Sequence, residues 1–301
     1  MGGMAASTAS TLDLSSLPAP DLIERLPFDT IADQMVADVQ LRLPAFDATV
    51  DSDPAVIVLQ VAAYREQLLR AAVNDAARQL MVASATGANL DQLAVLVGVA
   101  RLTIDAGDPT QGVAPTLESD AALRQRIVLA PESFSVAGPE LAYVYHAKSA
   151  DGAVRDASAT SPAPGQVLVS VLARNGDGTA PADLLAKVEA VVGSDSVRPL
   201  GDLVTVASAE IRRFAITARL VTFSGPDIGV VLATARRSLD AYLADSRRLG
   251  RDITLSGLYA ALHVSGVMRV EILAPIGDVV CDATQAAFCT GITLSHGGYD
   301  D

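Results

Sequence analysis

Residues Tyr64–Ala94 read YREQLLRAAVNDAARQLMVASATGANLDQLA. Apolar residues recur there at three- and four-residue spacing, the mark of a helix with an apolar face. No breaker interrupts the chain from Pro54 to about Ala85, so the pattern predicts one helix of roughly 32 residues, about 48 Å long. Asp53 before Pro54 supplies its start, with a side-chain acceptor at the N-cap and a proline at the first helical position. Val61, Tyr64, Leu68, Ala72, Ala76, Leu80 and Ala83 line one stripe, and Leu69, Val73, Ala77 and Met81 a second beside it. Glu66, Arg70, Asn74 and Arg78 follow at four-residue intervals on the polar side, where Glu66 and Arg70 form an acid-first pair. Gly87 reads as the C-terminal cap. The apolar surface is too long and too wide for the short neighbouring segments to cover. The helix is therefore expected to enter a bundle, part of which other chains supply.

Outward from this helix, residues 1–27 are rich in Ser, Thr, Ala and Pro and read as a mobile arm. Asp29 precedes Ile31, Met35, Val39 and Leu43, an amphipathic helix stopped by Pro44. A third helix starts at Asn89 or Asp91, runs through Leu93, Leu96 and Val97, and closes at Gly98. The Gly-, Pro- and Asp-rich stretch Ile104–Thr116 reads as a linker. Helices are then expected through Leu123, Ile127 and Leu129, through Tyr143 and Ala147, over Pro181–Val192, from Pro226 to about Ala244, and over Leu255–His263. Strands are expected at Val154–Thr160, Val167–Ala173, Leu203–Ala207, Ile211–Phe223, Val267–Ile272, Asp278–Cys281 and Phe288–Ser295. The segment Ala142–Pro162 resembles Leu258–Pro275 in its order of helix, His, turn, strand and Pro. The expected fold is α+β, an N-terminal helical bundle segment followed by two small α/β modules. Its divisions are the arm (1–27), the helical region (28–103), the linker (104–117), a first module (118–200) and a second (201–301).

The net charge of −13 argues against nucleic acid, whose phosphates demand a basic surface, and against an anionic membrane. The first 60 residues hold nine acidic groups against Arg25 and Arg42, a balance of −7. Within that segment Asp33 and Asp38 are candidates for ionic contacts with a basic partner. No apolar run reaches the ~18 residues of a spanning helix, and the start lacks a secretory pattern. Met1-Gly2 hints at N-myristoylation, but Ala6 stands where that motif wants Ser or Thr. A soluble, intracellular chain is expected. Cys281 and Cys289 flank a turn-like segment and are expected as free, partly buried thiols.

Reaction chemistry leaves no signature. The phosphate-loop, dinucleotide, nucleophile-elbow and zinc motifs are missing. His146, His263 and His296 lie far apart in the chain. Asp53 is accounted for as an N-cap and Asp51 as turn solvation. Asn175–Ala180 reads NGDGTA, a turn with neither the Gly nor the terminal Glu of a calcium loop. No catalytic group, metal or cofactor is expected, and the chain is not expected to be an enzyme.

Tyr64–Val99 resembles the signature of the baseplate J-like family of contractile phage tails, in Tyr-Arg-Glu, Leu-Leu-Arg, Asn-Asp-Ala-Ala-Arg and Ala-Thr-Gly-Ala-x-Leu-Asp. Further blocks are similar in order: Glu118–Ile127, Ser135–Ala147, Ser161–Leu172, Gly176–Leu185, Val197–Val206, Ser246–Ile272 and Asp282–Ala287. One departure is Val136, where family members carry Thr. The resemblance implies a wedge component of the baseplate of a phage or a tail-like bacteriocin, made in the host cytoplasm. It further implies partners in the baseplate I-like and W-like wedge proteins, a second copy of the chain, the hub and spike, and the sheath. The long helix then becomes a docking rod, with Val61, Tyr64, Leu68, Leu69, Val73 and Met81 toward another chain. A tail cell-wall hydrolase and a tail adhesin are the alternatives. The first needs converging carboxylates or a metal, and the second repeats and Gly-rich β segments.

Overall fold

The computed structural model describes residues 17, 21–47, 50, 52–135, 137–225 and 227–300. Met1-Gly2, Asp13, most of the expected arm, Asp51, Val136 and Pro226 lie outside the described residues. The described chain is α+β, with eight α-helices and eight strands. Two compact units divide it. One lies within Leu12–Ala100 and Asp120–Arg124, the other within Arg101–Ser119 and Gln125–Asp301.

The helical unit holds α1 (Phe28–Arg42), α2 (Pro54–Arg78) and α3 (Gly87–Val95). Asp53 caps α2 as its sequence demands, its carboxylate accepting the Ala55 N–H at 2.8 Å. The helix stops at Arg78, short of the expected end near Ala85, and side chains account for the stop. Ser84 Oγ donates to Arg78 O at 2.6 Å, and Gln79 Oε1 accepts the Thr86 N–H at 3.0 Å. Arg124 donates to Val82 O at 2.6 Å and Ala85 O at 2.7 Å. These partners satisfy backbone groups that a further helical turn would otherwise use. Gly87, with φ 54°, opens α3 instead of capping α2, and its N–H donates to the Asp120 carboxylate at 3.1 Å.

The second unit begins with an antiparallel ribbon where a linker was expected: β1 (Thr103–Asp105) pairs with β2 (Thr116–Leu117). A Cβ on Gly152 would stand 2.5 Å from Thr103 O, so only glycine lets the ribbon approach the turn there. Behind the ribbon, Glu118 and Arg126 form a fully buried ion pair at 2.6 Å. Glu118 also accepts the Leu102 N–H, and Arg126 reaches Ser149. Arg126 belongs to α4 (Asp120–Leu129), which a 3-10 turn, Ala130–Phe134, follows.

Two three-stranded sheets come next. In the first, the central strand β4 (Gln166–Ala173) lies antiparallel to β3 (Val154–Thr160) and parallel to β5 (Leu203–Ser208). Helices α5 (Glu140–Ala150) and α6 (Ala182–Val192) bury Tyr143, Ala147, Leu184 and Val188 against Val169 and Val171. In the second, the central strand β6 (Glu210–Thr222) lies antiparallel to β7 (Val267–Ala274) and parallel to β8 (Gln285–Tyr299). Helices α7 (Ile228–Ser246) and α8 (Leu255–Leu262) bury Val231, Leu239, Leu258 and Leu262 against Ile216, Ala218 and Leu220. Asp278–Cys281 is no strand; Val279 makes only a single bridge to Ile253.

A boundary at residue 201 would give β5 to the second module, yet β5 pairs with β4 of the first sheet. Strands β5 and β6 follow one another with only Ala209 between them, so one extended run serves both sheets. Ala209 donates to Val171 O at 2.9 Å, and Leu172, Ala209 and Ala286 form a small core at this seam. The echo between Ala142–Pro162 and Leu258–Pro275 has a counterpart in the topology. Helix α5 leads into β3 as α8 leads into β7, and each of those strands is the antiparallel neighbour of its central strand. The two modules share a sheet pattern with the chain order permuted.

Candidate partner interface

Helix α2 turns its polar row inward. Asn74 is 0% exposed, and its amide acts as a backbone mimic for Ile23. Nδ2 donates to Ile23 O at 2.8 Å, and Oδ1 accepts the Ile23 N–H at 2.9 Å. One turn away, Arg70 donates to Glu24 O at 3.3 Å while paired with Glu66 at 2.8 Å. Arg78 bridges Asp75 and Asp21, both at 3.0 Å, and Asp21 pairs in turn with Arg25. The polar row thus straps the segment Asp21–Arg25 along the helix. The rest of the inner face is Val56, Ala63 and Ala77, all buried, and α1 packs against α2 with Ile31 buried.

The apolar stripes face out. Val61 is 55% exposed, Tyr64 53%, Leu68 45%, Leu69 67% and Val73 40%. Ile57 and Val58, also exposed, extend the same surface toward the start of the helix. At 100° per residue these side chains occupy about half the helix circumference. A contiguous apolar strip of this kind is a candidate interaction surface. Met81 does not join this face, because the helix has ended before it and its side chain is half-buried in the following turns. Asp33 and Asp38 are exposed on α1 and make no hydrogen bond or ion pair among the described residues. The structure therefore groups Val61, Tyr64, Leu68, Leu69 and Val73 on one surface. Ile57 and Val58 are an addition to the sequence reading, signalled by their spacing from Val61.

Elsewhere, side chains that suggested chemistry have structural partners. Thr179 hydrogen-bonds the Asp177 carboxylate through backbone and hydroxyl, and Arg213 pairs with it, which holds its pKa down at about 2. Thr222 contacts His296 at 3.1 Å, and burial lowers the pKa of His146. Both cysteines are free, and burial pushes the Cys281 thiol up to about 11. Among the described residues no three potential ligands gather as a metal would require, and no helix is long and apolar enough to cross a membrane.

Comparison with known proteins places three family domains along the chain. Residues 51–108 match the baseplate J-like N-terminal domain, 135–208 the central domain and 214–295 the C-terminal domain. Baseplate protein J of Escherichia phage P2 is 44% identical over 300 residues, covering 96% of this chain and 99% of that protein. A chain in the cryo-EM structure of the anti-feeding prophage baseplate, 6-fold symmetrised, is 16% identical with a TM-score of 0.40. That match covers 61% of this chain and 43% of the other, so the present chain spans less than half of its length.

Proposed function

The chain belongs to the baseplate J-like family, and on that premise we propose that it is a wedge component, assembled with wedge partners into a ring around the hub and spike. Its coarse role is structural, as part of the baseplate of a phage or tail-like particle. The observation that carries the finer reading is the outward apolar face of α2. Burying a Leu or Val side chain is worth about 1.5–3 kcal/mol, so covering five or more of them suits an obligate partner. An amphipathic helix from a wedge protein is the occupant that fits a helical stripe, by ridges entering grooves.

The domain organisation belongs to the same proposal: a helical docking region, then two α/β modules, the first extended to Ser208 to include β5. In this reading Asp33 and Asp38 add ionic contacts beside the docking rod, and one wedge interface changes packing when the tail contracts. The role asks for no cofactor and no catalysis. Co-expression of the chain with the other baseplate proteins of its particle tests it, with stoichiometry read by native mass spectrometry. Wedge proteins held in fixed ratio by the native chain and lost on Leu69→Asp are expected. A native chain that stays monomeric beside them overturns the wedge assignment.

A further inference from the structure

Asn175 and Gly176 form an exposed turn between β4 and α6. Gly176 stands at φ 63°, and a Cβ there would meet nothing within 4 Å. Its N–H makes no hydrogen bond among the described residues, and the Asn175 carboxamide makes none either. The other two asparagines of the chain are held. Asn74 lies inside α2, 0% exposed, with both amide atoms bonded to Ile23. Asn89 lies inside α3, donates to Gln79 Oε1 at 3.2 Å and is followed by the buried Leu90. Only at Asn175 does a free side-chain amide precede a residue with no side chain and an unengaged N–H.

Charge favours reaction at the same spot. The Arg247 guanidinium donates to Gly176 O at 2.6 Å. A cation this near stabilises the anion that the Gly176 nitrogen becomes on losing its proton. Asp177, the next residue but one, is protected instead. Thr179 and Arg213 bind its carboxylate and hold it ionised, with a pKa of about 2, and a carboxylate anion resists attack by nitrogen. Gly178 after it is buried.

We propose that Asn175 is a self-modification site, with water as the co-reactant. The deprotonated Gly176 nitrogen attacks Asn175 Cγ. The new C–N bond closes a five-membered succinimide ring, and ammonia leaves with the electrons of the Cγ–Nδ2 bond and a proton from solvent. Water then opens the ring. Cleavage at Cγ leaves an aspartate at position 175 with the backbone unchanged. Cleavage at the main-chain carbonyl leaves an isoaspartate, with the backbone routed through Cβ and Cγ. Either way one water is consumed and one ammonia released. The position gives the conversion an effect. The Ala173 N–H closes the turn on Gly178 O at 2.8 Å, and Arg247 at the end of α7 and Arg213 in β6 hold the turn to the second sheet. An isoaspartate adds a methylene to the backbone inside this closed turn and draws Gly176 O off Arg247. The join between the two sheets therefore loosens with age.

The test incubates the folded full chain in water enriched in oxygen-18, at neutral and at mildly alkaline pH, and weighs its proteolytic peptides by mass spectrometry. The peptide holding Asn175 is expected to lose ammonia and gain the label, several-fold faster at the higher pH. The peptides holding Asn74 and Asn89 should stay unlabelled. Isoaspartate is read by enzymatic methylation, which Asn175→Gln should abolish. Amide hydrogen exchange then compares aged with fresh chain. Protection over Ala173–Gly178 should fall in the aged native chain and hold in aged Asn175→Gln. An Asn175 amide in the folded chain that outlasts the one in the free peptide Ala173–Ala180 overturns the proposal. Conversion that leaves exchange in the turn unchanged overturns it too. Either result leaves the baseplate role standing, because that is read from co-assembly.

Discussion

Asn74 and Ile23 exchange two hydrogen bonds of 2.8 and 2.9 Å across 51 residues of chain, and Asn74 has no exposed surface. A side-chain amide near the C-terminal end of a long helix thereby does the work of a paired strand. Asn74→Leu removes both bonds and strands the Ile23 backbone groups. A loss of about 1–3 kcal/mol in urea denaturation is expected, with faster proteolysis near Arg25. Asn74→Asp keeps the acceptor but not the donor and should fall between the two.

The α2 face makes the opposite prediction. Leu69 and Val73 are exposed on α2, so Leu69→Asp and Val73→Asp should change stability by no more than about 0.5 kcal/mol. They should also lower binding of a hydrophobic dye, because the exposed apolar strip is interrupted. Co-assembly with wedge proteins should nevertheless fail. A variant that unfolds would show that the face is internal packing.

The buried pair Glu118–Arg126 separates two roles of charge. Arg126→Met leaves the buried Glu118 carboxylate with the Leu102 N–H but without its Arg126 partner, and is expected to cost about 3–5 kcal/mol. The double variant Glu118→Leu with Arg126→Met removes both charges and should recover most of that loss. A thermodynamic cycle over the four proteins measures the coupling.

Asp177 gives a pH signature. Its carboxylate is held near 2 by the Thr179 backbone and hydroxyl and by Arg213, against about 4 for an ordinary aspartate. The folded form therefore binds this proton more weakly than the unfolded form. Its contribution is complete above pH ~4 and fades as pH falls from about 4 toward 2. Asp177→Asn should flatten the acid limb of the stability curve in that window and leave the curve near neutrality parallel to the native one.

Local pattern made most elements legible. Strict alternation through Phe214, Ile216, Ala218 and Leu220 marks β6, Asp53-Pro54 marks the start of α2, and Val154–Thr160 is β3 to the residue. What failed depends on neighbours that periodicity cannot name. The end of α2 is decided by Ser84, Gln79 and the distant Arg124, so an unbroken apolar pattern overshoots it. The assignment of β5 depends on which central strand it meets, and its composition suits either sheet. Of the candidate interface, the stripe through Val61, Tyr64, Leu68, Leu69 and Val73 could be read from spacing. Its outward direction could not, since a polar row usually faces water and here it binds Asp21–Arg25.

The run from Leu203 to Thr222 gives the molecule a mechanical character. Each sheet hangs its parallel partner on this one strand, β4 near its start and β8 along its remainder. A pull along it is resisted in shear, with many ladder bonds loaded together instead of being unzipped one at a time. Force delivered to one module reaches the other through a stretched backbone, with Ala209, still bonded to Val171 O, as the residue between the two strands. The shared strand makes the pair of sheets a tension member, stiff along its length, with Leu172 and Ala286 packed at the seam around Ala209.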